Sequence, residues 1–128
     1  MNRYFTVGFS MLVGAVLGAG AVEALHAQAT PPAFVINEVT VKDQAHYAAQ
    51  FIPAVRRTVR AADGDVIVRG GKLQTLLGTP PASRLVVIEY PSFDAAQAWW
   101  NSQATQDAYA RGEQYAGFRQ FVVEGVSR

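Results

Sequence analysis

Arg69 and Glu89 are the charged residues best placed to do chemistry. Each closes a β-rich run, DVIVR at 65–69 and RLVVIEY at 84–90, and a charge at the end of a buried strand is costly unless it is paired or meets a ligand. Read functionally, Arg69 holds an anionic ligand and Glu89 accepts or shuttles a proton in a cavity between sheet and helices. Read structurally, they are an ordinary ion pair or two exposed strand ends. Trp99, Trp100, Tyr109 and Tyr115 can line an aromatic ligand site or simply pack the core. Arg56, Arg57 and Arg60 read as a solvated helix face rather than an anion site.

Other chemistries find little material. His46 is the only histidine beyond residue 29, and its place in the first turn of an amphipathic helix suggests solvent exposure rather than a general base or a haem ligand. The absence of cysteine excludes disulfides, thiolate metal sites and cysteine nucleophiles. No metal site and no cofactor are expected. The chain has no GxGxxG, Walker, GxSxG or HExxH pattern, and Gly70-Gly71 lacks the following helix that a phosphate cradle needs. A net charge of +1 is too weak a bias to suggest a nucleic-acid partner.

The elements that must position these residues fit one domain. Of 128 residues, 50% are hydrophobic and 16% charged, the balance of a folded chain. Arg3, an uncharged apolar run from Tyr4 to Val22 and Ala27-Gln28-Ala29 together predict a secretory signal peptide over 1–29. With cleavage after Ala29, residues 30–128 form the mature domain, periplasmic or secreted and without membrane association. A retained anchor is the competing reading, because the run is also about the length that spans a bilayer.

Within 30–128, FVINEVTV at 34–41 reads as a first strand, with Val35, Asn37, Val39 and Val41 on one face. Asp43 can cap a helix whose stripe is Ala48, Phe51, Ile52, Val55 and Val59. Pro53 must kink or divide that helix. DVIVR is a second strand, and Gly70-Gly71 predicts a hairpin returning over Lys72–Leu77. RLVVIEY is apolar on both faces and therefore interior. Pro91 stops it, Ser92 caps the tryptophan-bearing helix, a further helical segment runs to about Gly117, and FRQFVVEG at 118–125 is the last strand. The order predicts an α+β fold, a ferredoxin-like β-α-β-β-α-β sandwich with an antiparallel sheet. Its second sheet face has no internal cover, which predicts a homodimer packed sheet to sheet.

The motifs VTVKD (39–43), VIVRGG (66–71), LLG (76–78), RLVVIEYPSFDAAQAWWNS (84–102) and VVEG (122–125) resemble the family called domain of unknown function 1330. The resemblance implies membership of the dimeric α/β-barrel superfamily, which includes cofactor-free monooxygenases, lactone isomerases and haem-dependent members. It extends over Arg111 and implies that this side chain reaches Glu89 or a ligand. The family often carries two glycines before the second strand, where this chain has Ala62-Asp63-Gly64-Asp65.

The function expected is therefore binding, or cofactor-independent transformation, of a small organic molecule between sheet and helices. Glu89 and Arg69 are its catalytic candidates, and Trp99, Trp100, Tyr109 and Arg111 its ligand-binding candidates. The alternative is a non-catalytic structural or interaction module that dimerises through its sheet face.

Overall fold

The computed structural model describes residues 30–128. The signal peptide expected over 1–29 and its cleavage point lie outside the described residues.

Strand β1 (Ala33–Val41) leads to Asp43, whose carboxylate accepts the His46 backbone N–H at 3.1 Å and caps α1 (Gln44–His46). The helical backbone then widens into a π-helical turn (Tyr47–Phe51) before α2 (Ile52–Ala61). Pro53 explains the widening. It has no N–H to give and its ring would clash with the carbonyl four residues back, so the turn ahead of it opens. Tyr47 and Phe51 are both buried by this turn.

The connection to β2 (Asp65–Arg69) answers the departure from the family's two glycines. Asp63 itself takes the left-handed conformation, with φ at 58°, a region that Asp tolerates better than most residues. Gly64 is needed for a different reason: a Cβ there would lie 2.8 Å from both the Tyr90 ring and Val59.

The expected hairpin does not form. Residues 70–83 make an exposed connection rather than a returning strand over Lys72–Leu77, and the next strand is β3 (Arg84–Tyr90). Gly70 and Gly71 both have positive φ, yet the Gly70 N–H bonds to the Leu85 carbonyl at 2.8 Å, so β2 pairs with β3 across the whole loop. Leu76 and Leu77 are 89% and 94% exposed, which removes the burial a third strand there would have required.

Ser92 accepts the Ala95 N–H at 3.0 Å and starts α3 (Phe93–Asn101); Ser102 caps α4 (Gln103–Gly112), and β4 (Ala116–Glu124) closes the sheet. All pairings are antiparallel and the strand order is β2-β3-β1-β4, the ferredoxin-like order expected. The core lies between the helices and the sheet face bearing Val35, Val39, Ile88 and Tyr90, against Tyr47, Phe51, Trp99 and Tyr109.

The expected dimeric α/β-barrel is corrected. β2 and β4 are two free edges, each hydrogen-bonded to one neighbour, so the sheet is an open layer and is not closed into a barrel. The homodimer expected on a wholly uncovered outer face is also corrected, because the chain covers part of that face itself, although Phe121 and Val123 stay 44% and 46% exposed on it. Gly125 lies so close to Phe34 that a Cβ would approach its ring to 2.5 Å. Glu38, on the same face, accepts the Ala82 N–H at 2.9 Å and pairs with Arg119, tying the end of the β2–β3 loop to the sheet.

The Ala82 N–H, helped by the Arg119 guanidinium, holds the Glu38 carboxyl below the usual carboxylate range. A depressed folded-state pKa means that this contribution is complete above the ordinary value of 4.5 and is lost as pH falls through the lower folded value. Urea midpoints should therefore separate wild type from Glu38→Gln at pH 7 and draw together as the pH is lowered from 4.5 through the folded-state value. A gap that stays constant across that range would refute the tether.

Candidate functional site

A cavity of about 560 Å³ lies between the helical stretch 44–61 and the inner face of β1, β2 and β3. This is within the size range of small-molecule sites. Its walls are largely aromatic and aliphatic: Tyr47, Phe51 and Tyr109 from the helices, with Val66, Val86 and Ile88 from the sheet. Register fixes which sheet residues face it. Asn37 pairs with Val86 and Val39 with Arg84, so Asn37 and Arg84 stand on the same inner face as the core residues.

The polar groups in this cavity have unusual partners. Asn37 is 3% exposed; its Nδ2 donates to the Tyr109 hydroxyl at 3.3 Å, which donates in turn to Gln120 Oε1 at 2.8 Å. Its Oδ1 is buried with no hydrogen-bond partner, and so is Arg84 Nε. Leaving such a group unsatisfied costs about 1–3 kcal/mol. The Arg84 guanidinium carbon lies 5.4 Å from the centre of the Tyr47 ring, a cation–π placement that fixes the side chain against the cavity wall.

Burial raises the phenolic pKa of Tyr47, partly opposed by the Arg84 charge, and burial raises that of Tyr109 further. Both phenols are therefore neutral at physiological pH, but the Tyr109 proton is committed to Gln120, which leaves Tyr47 as the phenolic donor of the cavity. Around the mouth stand Arg56, Arg60 and Arg69, all exposed, with Asp65 the single acidic lining residue. Such an excess of positive charge attracts anions.

The sequence-derived candidates are distributed unevenly. Arg69, on the inner face opposite Val86, and Tyr109 both line the cavity. Glu89 pairs with Phe34 and Asp65 on the outer face, so the sheet separates it from Arg69. Trp99 is 2% exposed, and its Nε1 donates to Thr58 Oγ1 at 2.9 Å. With Trp100 it borders a second cavity of about 250 Å³ beside β4. The Trp100 ring meets Tyr109 edge to face at 5.2 Å. Arg111 is exposed in the last turn of α4 and lines neither cavity.

His46 is exposed, bonded through Nδ1 to Asp43 at 2.7 Å and stacked on Tyr115. It is not part of the cavity lining, so it does not suit a haem seated there. Among the described residues no cluster of three or more His, Cys, Asp or Glu side chains is placed to hold a metal.

Asn37, Tyr47 and Arg84 were not singled out as site residues by the sequence. Asn37 does carry a readable signal: it is the one polar residue in the inward series Val35, Asn37, Val39, Val41. Arg84 has none, because its face depends on its pairing with Val39.

Residues 32–126 match the family described as domain of unknown function DUF1330. The chain belongs to that family. No curated protein matches it. Among solved structures, it is similar to a protein of unknown function from Rhodopseudomonas palustris, at 17% identity and TM-score 0.59, covering 82% of this chain and 94% of that one. It is also similar to SnoaB, a cofactor-independent oxygenase from Streptomyces nogalater, at 11% identity and TM-score 0.52, covering 77% and 97%. A third similar structure is an EthD family protein from Bacillus halodurans, at 14% identity and TM-score 0.52, covering 76% and 100%. At these identities the likeness shows a shared fold. This DUF1330 chain thus has the ferredoxin-like scaffold on which SnoaB acts as an oxygenase. Among the described residues, no helix is long and apolar enough to cross a membrane.

Proposed function

We propose that this protein binds a small organic anion in the cavity between α2 and the sheet, and that any transformation it performs there is cofactor-independent. The observation that carries this reading is an aromatic-lined cavity of small-molecule size beneath a mouth bearing the exposed Arg56, Arg60 and Arg69. The shared scaffold with a cofactor-independent oxygenase supports the reading at the level of fold. Arg69 would draw the ligand in, and Tyr109 would hold the amide of Asn37 in place.

Residues in this site can bind an anion and stabilise developing negative charge through neutral phenol and guanidinium donors. Asp65, the one acidic residue of the lining, pairs with Glu89 on the outer face of the sheet, which gives the interior a stabilising rather than a base-driven character. A thermal-shift screen of organic acids tests the reading. A ligand at about one hundred times its Kd stabilises by about 2.7 kcal/mol, or roughly 10–20 °C for a domain of this size. Val55→Trp, which fills the cavity, should abolish the shift. A screen without any stabiliser, or a shift that Val55→Trp leaves intact, would count against the site and favour a non-catalytic module.

Export to the periplasm or the exterior, with cleavage after Ala29, is part of the same proposal. It is supported by the apolar run and the Ala27-Gln28-Ala29 exit in the sequence. Mass spectrometry of the protein from its own host should find Thr30 at the N-terminus; an intact Met1 would refute it.

A further inference from the structure

The positive charge at the cavity mouth exceeds what one anionic group can neutralise. Arg56 and Arg60 stand four residues apart on α2, a spacing that puts them on one side of the helix, and Arg69 comes from β2. All three line the cavity and are exposed, and none has a side-chain hydrogen bond or ion pair among the described residues. The helix supplies no counter-charge of its own, because residues 44–62 contain neither Asp nor Glu. Its dipole accounts for Arg60, in the last turn, but not for Arg56 a turn earlier or for Arg69 on a strand. Guanidinium groups keep their charge throughout the physiological range, so three in one mouth repel one another until anions meet them.

The surfaces behind the mouth limit the shape of the ligand. Half-buried Ile52 and Val55 line the cavity from α2, and half-buried Val66 and Val86 line it from the sheet. A slot with apolar surface on both sides suits a flat ring. We propose that the cavity takes a flat dicarboxylate, its ring held between Ile52, Val55, Val66 and Val86 and its two carboxylates received by arginines from both α2 and β2. The proposal rests on the reading of this cavity as an anion site and goes beyond it in the number of charges. A single carboxylate leaves guanidiniums unmatched. A second on the same ring is already held in place when it meets them, and the planar fork of arginine receives a carboxylate through two parallel hydrogen bonds.

Isothermal titration of the protein at neutral pH with phthalate and isophthalate, each beside its monomethyl ester, tests it. Diacid and ester share a ring and differ by one charge. The tighter diacid should bind at least tenfold more strongly than its own ester, and the gap should narrow as salt is raised. Arg56→Gln and Arg69→Gln should each close most of that gap; both positions are exposed, where substitution has little effect on folding. Arg57→Gln removes the same charge from α2 outside the lining and should leave the gap unchanged. Equal affinity for diacid and ester, with Val55→Trp blocking both, would overturn the dicarboxylate while leaving the anion site intact. A gap that Arg57→Gln lowers as much as Arg69→Gln would reduce the effect to net charge and overturn it as well. If neither diacid binds but other organic acids give shifts that Val55→Trp removes, the ligand class alone fails. If no acid gives such a shift, both readings fail.

Discussion

Trp99→Ala is expected to destabilise the domain by about 3–5 kcal/mol, enough to lower Tm by more than roughly 12 °C. Its indole is 2% exposed and packs on Tyr90 at 5.3 Å, Tyr109 at 6.0 Å and Trp100 at 6.1 Å. Removing it leaves a cavity among rings that other contacts hold in place. It also removes the Nε1 bond to Thr58, whose own hydroxyl stays committed to the Val55 carbonyl at 2.7 Å. Trp99→Phe refills most of the space and loses only the hydrogen bond, so its cost should be clearly smaller. Thermal melts followed by circular dichroism separate the two variants. A fall of less than about 4 °C for Trp99→Ala, the shift that about 1 kcal/mol gives, would remove this side chain from the core and return it to the ligand candidates.

Gly112→Ala should also destabilise, although alanine is ordinarily the better helix former by about 1 kcal/mol in a helix interior. A Cβ at this position would lie 2.4 Å from Phe51 Cδ1 and 2.9 Å from its Cε1. Neighbouring rings restrict where Phe51 can move, and its open side is the larger cavity that it lines. Its ring is held by Tyr47 at 5.3 Å, Tyr109 at 5.1 Å and Phe118 at 5.0 Å. Overpacking of this kind costs about 1–3 kcal/mol. Because Phe51 also lines the larger cavity, the same substitution should reduce ligand-induced stabilisation. Adding Phe51→Leu should recover part of the lost stability, and a double-mutant cycle in urea reads the coupling. Purely additive effects would show that the close approach has no energetic consequence.

The fold was legible where one residue type settles a local question. Asp43, Ser92 and Pro53 act within a turn of their own position, and each does in the structure what its chemistry requires. Lys72–Leu77 was misread because two glycines allow a tight turn without compelling it, and the competing pairing of β2 with the distant β3 is invisible to local pattern. Arg69 and Glu89 show the same limit for the site. Sequence places each near a strand end, but antiparallel pairing and the register shift between Val66 and Val68 decide which face each takes. Arg56 and Arg60 are indeed exposed, yet they stand at the cavity mouth, which only the packing of α2 over the sheet reveals.

The wide turn at Tyr47–Phe51 also bears on how this family can change by insertion and deletion. A π turn is an α-helix carrying one surplus residue, so the helix before it is out of phase with the helix after it by about 100°. Deleting one residue, Gln50 for instance, would rotate Tyr47 away from the face that carries Val55 and Val59, while Pro53 would still bar a regular helix there. Chain length is thus a more stringent constraint than side-chain identity over these five positions. Homologues should vary in residue type on the exposed side of the turn and keep its count unchanged.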